Sequence, residues 1–255
     1  MADQTTPRLA VLIDADNASP RIVDGLFEEI AAIGEASVRR IYGDFSSPRS
    51  KGWADELARF AIIPQQQFAY TQGKNASDIT LVIDAMDLLH SGRFDGFCLV
   101  SSDSDFTRLA ARIREQGVDV FGFGEQKTPE SFRQACRRFI YTENLRSRDP
   151  EPSRSRDRKS EPAREEKRDR TPLRPPEEAA PLIAEIIDEA EDETGWASLG
   201  QVGNMLANLA SDFDPRTYGA RKLSDLVREL NGFDLDETDP RNIRIKRKRE
   251  RRRRR

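Results

Sequence analysis

Asp14 follows the apolar run Leu9–Ile13, and Asp103 and Asp105 follow the run Phe97–Val100. If both runs are strands of one parallel sheet, these carboxylates leave it at the same edge, beyond the carboxyl ends of the strands, where such sheets bind ligands. Asp78, in the string GKNASD, falls in the first turn of a helix near the end of the third strand. Like charges gathered in this way resist ionisation unless a cation neutralises them. A hard divalent ion does so through oxygen ligands, and Mg²⁺ suits few carboxylates plus waters. Plainer readings stand beside this one. Asp14 or Asp16 can cap the helix that follows, and Asp105 can cap the helix after Phe106. Asp84 lies six residues beyond Asp78, need not share its face, and reads as solvent-facing or supporting. Lys74, with the Gly73 backbone, can approach a phosphate.

Other chemistries lack their residues. The chain of 255 residues has one histidine, His90, at a helix end where a surface role is expected, so multi-histidine metal sites are excluded. Cys98 and Cys136 make neither a disulfide framework nor a zinc site and read as small buried residues in a reducing cytosol. There is no GxxxxGK[ST] loop and no GxGxxG after the first strand, which argues against a P-loop or dinucleotide site. No apolar stretch approaches the ~20 residues of a membrane span, and MADQTTPRLA lacks a basic n-region followed by an apolar h-region, so secretion through a signal peptide is not expected. A cytoplasmic protein is expected.

The elements that must position the acids lie in residues 8–145. Leu9–Ile13, Ser37–Tyr42, Ala61–Gln67, Phe97–Val100 and Val118–Phe123 read as five strands. Between them fall helices opened by Pro20 and closed by Gly34, over Trp53–Phe60, capped by Ser77, and over Phe106–Gln116; Glu130–Arg138 reads as a last helix. Trp53 is expected in the core or as its cover. Strands separated by helices imply right-handed crossovers and a parallel sheet with helices on both faces. Residues 146–176 hold no apolar periodicity and repeated proline, as a disordered basic linker does. Exposed and pattern-free, it should be cut by proteases to release two folded fragments. Helical stripes return in 177–245, at Leu182–Ala190, from Ser198, and from Asp214-Pro215. Phe233–Leu235 and Ile243–Ile245 then flank a turn, the pattern of a winged helix-turn-helix. Residues 246–255 form a basic tail.

The net charge of −3 conceals a strong asymmetry. Residues 1–145 carry −5, residues 146–174 carry +4, residues 175–240 carry −12 and residues 241–255 carry +10. The linker and tail are therefore the handles for a polyanion.

The strings LIDADN, GKNASD, LVSSDSDF and FIYTENL resemble the NYN domain, a branch of the PIN-like nucleases, and within it the LabA-like subgroup. The likeness covers roughly residues 8–145, with its motifs in the expected order. It implies a parallel sheet sandwiched by helices and an acidic site that binds Mg²⁺ or Mn²⁺ and cleaves RNA phosphodiesters. Residue by residue, it makes Asp14, Asp78, Asp103 and Asp105 catalytic metal ligands, and Asn17 the asparagine that orients a carboxylate or the substrate. This chain has Gly73-Lys74 where the family often has Lys-Gly, and Asp78 comes later. GW, FDPRTYG and KLSDL, within residues 195–230, resemble the OST-HTH or LOTUS domain, a winged-helix module implicated in RNA binding, some members of which bind protein partners instead.

Together these readings predict an α/β protein of four parts: a nuclease domain (1–145), a linker (146–176), an OST-HTH/LOTUS domain (177–245) and a tail (246–255). The expected activity is that of a metal-dependent endoribonuclease, with RNA as partner and no membrane. A non-catalytic RNA-binding adaptor is the alternative. A haloacid-dehalogenase-type phosphatase, suggested by Asp-Ala-Asp after a strand, is disfavoured by the later motifs and the second domain.

Overall fold

The computed structural model of the protein describes residues 6–46, 51–67, 76–145, 174–239 and 241–248. The expected disordered linker (all but its last three residues), the arginine run of the tail, Gly73 and Lys74 lie outside these. In the first domain β1 (Arg8–Asp14) leads through a 3-10 turn at Pro20 into α1 (Val23–Ile33). Then follow β2 (Glu35–Gly43), α2 (Lys51–Arg59), β3 (Ile63–Gln66), α3 (Ala76–His90), β4 (Gly96–Val100), α4 (Thr107–Glu115), β5 (Asp119–Gly124), α5 (Glu130–Ala135) and β6 (Arg138–Tyr141). The strands form one parallel sheet in the order β3-β2-β1-β4-β5-β6.

Side chains along β1 alternate between two cores, as strand geometry requires. Leu9, Val11 and Ile13 pack with Val23, Leu26 and Ile30 of α1 and with Trp53 of α2. Ala10 and Leu12 pack with Leu81 and Ala85 of α3 and with Leu109 and Ile113 of α4. Burial on both faces explains why β4 reads as an unbroken apolar run. It also sets the direction of Asp14, two residues beyond Leu12 and so on the side of α3.

Three local readings change. The last helix stops at Ala135. Cys136 turns extended, at φ −85 and ψ 150, and Phe139, Ile140 and Tyr141 form a sixth strand. Strand β3 is shorter than expected, because Ala61 takes a left-handed turn at φ 51. Helix α3 begins at Ala76, so Ser77 sits inside its first turn and does not cap it.

In the second domain a 3-10 turn at Pro176–Ala179 precedes α6 (Ala180–Ala190), β7 (Ala197–Ser198) and α7 (Leu199–Leu209). The element opened by Asp214-Pro215 splits in two. Asp214 caps a 3-10 turn over Pro215–Tyr218, Gly219 closes it at φ 86, and α8 (Leu223–Glu229) follows. Strands β8 (Phe233–Asp236) and β9 (Arg244–Arg247) make the expected hairpin, and β7 joins its other side, in the order β7-β9-β8. Ile183, Ile187, Val202, Leu206, Leu226 and Ile245 form the core.

Candidate active site

Asp14 ends β1 with its side chain almost wholly buried. Its Oδ1 accepts from the backbone N–H of Asp16 at 3.0 Å and of Asn17 at 3.3 Å. Its Oδ2 accepts from Asn17 Nδ2 at 2.8 Å and from Ser101 Oγ at 2.8 Å. Burial pushes the carboxyl above its ordinary range, and the donors from Ser101, Asn17 and Asp16 oppose it. Asn17 thus has a definite contact: it orients Asp14.

Ser101 is the first residue past β4 and was absent from the sequence-based candidates. Besides holding Asp14, its hydroxyl accepts from the Asp103 N–H at 3.1 Å. It therefore ties the two acidic strings together. The signal was there in principle: Ser101 is the first polar residue after a wholly apolar strand. Gly124 makes room for it, since a Cβ there would lie 2.6 Å from the Ser101 carbonyl oxygen.

Asp103, rather than Asp105, is the cap. Its carboxylate accepts from the Asp105 N–H at 2.9 Å and opens the 3-10 turn Ser104–Phe106 that leads into α4. Asp105 stands exposed on that turn. Asp78 faces the cluster from the first turn of α3. Its own burial, then the charges of Asp14, Asp103, Asp16 and Asp105, raise it to about 6. That response brings four sequence-predicted acids, from β1, α3 and the segment after β4, into one electrostatic neighbourhood, and adds Asp16. The Ser77 hydroxyl reaches Asp16 Oδ2 at 3.4 Å.

Asp84 does not belong to the cluster. Its Oδ2 accepts from Arg40 Nη1 at 2.8 Å and from the buried Tyr42 hydroxyl at 2.9 Å, pinning α3 to β2. His90 is exposed at the end of α3, with Nδ1 2.7 Å from the Met86 carbonyl oxygen. Trp53, Cys98 and Cys136 are buried.

The donor set is all oxygen, as a hard divalent cation prefers. Among the described residues no three acidic side chains stand together at ligand spacing.

Fold and site define a three-layer α/β protein with an acidic cluster at the carboxyl edge of its sheet, joined to a small helical domain with a short antiparallel sheet. The chain belongs to the NYN domain family, whose pattern matches residues 8–144, and the OST-HTH/LOTUS domain matches residues 175–245. The Asp-Ala-Asp string accordingly sits in an NYN domain and not in a phosphatase of the haloacid-dehalogenase type. Among solved structures, a protein of unknown function from Vibrio parahaemolyticus is 18% identical. That match covers 55% of this chain and 96% of the other, at a TM-score of 0.46. An uncharacterized protein from Nitrosomonas europaea, solved by solution NMR, is 27% identical, with 40% and 99% covered and a TM-score of 0.28. No curated protein matches the sequence. Among the described residues no helix is long and apolar enough to cross a membrane.

Proposed function

We propose that this protein is a metal-dependent endoribonuclease whose C-terminal domain engages the RNA. The observation that supports the reading is the hydrogen-bonded link Asp14–Ser101–Asp103 between the ends of β1 and β4 in an NYN domain, with Asp78 in the first turn of α3. Asp14, Asp78 and Asp103 would hold Mg²⁺ or Mn²⁺, with Asp105 as a fourth ligand or a support. Bound there, the ion supplies Lewis-acid polarisation of a phosphoryl oxygen and a lower pKa for an attacking water. Ser101 aims Asp14 and, as a donor, favours its carboxylate form against the effect of burial. Of Asp14's side-chain donors, Ser101 is buried and Asn17 exposed, so Asn17 is the one free to turn toward substrate. Lys74 is proposed to meet a backbone phosphate.

On the second domain, Lys222 and Arg241 flank a groove of about 380 Å³ beside the start of α7. Strand β9 adds basic residues, but Arg244, Arg247 and Lys248 already face Asp192, Asp188 and Asp234 at 2.5, 2.9 and 3.7 Å. Three cations of the wing are thus paired locally. The basic tail, 246–255, would offer sequence-independent attraction to phosphates.

The test is cleavage of mixed RNA pools with Mg²⁺, Mn²⁺ or chelator, comparing wild type with Asp14→Asn and Asp103→Asn. Metal-dependent cutting by wild type alone is the expected result. The basic tail would equally serve one rival, an RNA-binding adaptor without turnover. RNA binding with no cleavage under any metal would establish it.

A further inference from the structure

The string SDFDPRTY (211–218), which overlaps the FDPRTYG of the OST-HTH resemblance, faces the first domain. Strand β6 is an edge of the large sheet, and Phe139 donates its outward N–H to the Ser211 carbonyl at 2.7 Å. The Ser211 hydroxyl donates to the Arg133 carbonyl at 2.7 Å. Arg133 and the Tyr141 hydroxyl both engage the Asp212 carboxylate. Arg216, gripped by Asp214 at 2.6 Å, reaches Glu29 of α1 at 2.9 Å, and Glu29 also takes Arg138 at 3.1 Å. The buried polar residues described in the second domain are Ser211, Asp214 and Thr217, all in this one string.

The path of the chain gives an independent observation. Asn144, next to last before the connector, donates from Nδ2 to Thr217 Oγ1 at 3.0 Å. Arg174, the first described residue after it, donates its N–H to the Thr217 carbonyl at 3.0 Å. The chain leaves one domain and enters the other beside a single threonine.

We propose that SDFDPRTY is an intramolecular docking element that holds the OST-HTH domain on the β6 edge of the NYN domain of the same molecule, so that the two act as one body. Buried polar groups are retained where they are partnered; Ser211 and Thr217 find side-chain partners in the other domain, and Asp214 holds Arg216, which reaches Glu29 there. Arg216, the string's one cation, is engaged by Asp214 and Glu29 and is not free for phosphate. A nucleic acid meeting this domain must therefore use another face. The expectation of two fragments drifting apart after linker cleavage gives way to a nicked but intact particle.

The test places a specific protease site between residues 150 and 165 of the full chain. The cut protein is then run at low micromolar concentration on size exclusion with mass detection. The two fragments should co-elute one to one at the mass of the uncut chain. Asp212→Arg should weaken their association by about 100-fold or more, as loss of a partner from a largely buried charge pair does. Arg216→Ala, a milder variant, should weaken it about 10-fold. The swap Arg133→Asp with Asp212→Arg should restore most of the loss, which a merely misfolded domain would not allow. Wild-type fragments that separate would overturn the proposal. So would undiminished co-elution of the Asp212→Arg fragments, or a particle of twice the mass with second domains exchanged between copies.

Discussion

The Ser101 hydroxyl donates to Asp14 Oδ2 at 2.8 Å across the β1–β4 pair, and both side chains are nearly sealed from solvent. Removing the hydroxyl leaves the Asp14 carboxyl one donor short where water does not replace it. Ser101→Ala should reduce metal-supported cleavage by about 10- to 100-fold, the usual cost of losing a residue that orients a ligand. Ser101→Thr, which keeps the hydroxyl, should recover part of it. Full activity in Ser101→Ala would remove Ser101 from the site.

Asp78 gives a pH dependence whose sign is fixed. Burial and four neighbouring carboxylates raise it to about 6 in the fold, above the ~3.9 of an unfolded aspartate. A carboxyl raised on folding supports the fold while protonated. Its contribution is full below the unfolded value and is lost as pH rises through about 6. In chelator, Asp78→Asn should therefore melt higher than wild type at pH 8, by about 1 kcal/mol after solvent screening, or a few degrees. The two should melt together near pH 4. Melting curves of both proteins at the two pH values decide it, and coincidence at pH 8 would dissolve the repulsive cluster.

Asp84 should separate stability from chemistry. Asp84→Ala strands the Tyr42 hydroxyl and the Arg40 guanidinium beneath α3, at a cost of about 1–3 kcal/mol. Denaturant midpoints should fall accordingly. Per folded molecule, cleavage at permissive temperature should stay within a few-fold of wild type. A complete loss of turnover with unchanged stability would make Asp84 a member of the site.

The tail prediction depends on where the sheet ends. Lys246 and Arg247 belong to β9, so a deletion that spares the fold starts at Arg249. Removing 249–255 takes away six arginines. At about 0.7 per phosphate on a single strand, the salt slope of RNA affinity should fall by up to about 4, with little dependence on sequence. Titrations at several salt concentrations measure it, and parallel lines for full-length and shortened protein would deny the tail a binding role.

Much of this was legible in the sequence because it was written in local terms. Strands β1 and β4 announce themselves as apolar runs ending in acids, and the parallel order of the sheet then brings Asp14 and Asp103 to one edge. Strand β6 was hidden because RRFIY is four to five residues long and abuts a helix, with no turn residue between Ala135 and Arg138. Ser101 was hidden for a different reason. Its role lies in a bond to a residue 87 positions away, and standing first after an apolar strand does not by itself disclose that partner. Arg216 lies in a string, FDPRTYG, that already has an explanation as a domain signature, and Asp212 directly precedes it. Which way that string faces is a property of the packed molecule.

The carbonyl of Ser211 over the Phe139 N–H bears on how copies of this protein behave toward one another. A parallel sheet ends in two rims that can recruit a stranger's strand. One rim, β3, contains Pro64, which has no N–H to offer. The other is quieted only because a neighbouring domain lies on it. A version shortened to residues 1–145 uncovers that rim and turns it into a template, so it should self-associate with rising concentration while the whole chain stays apart.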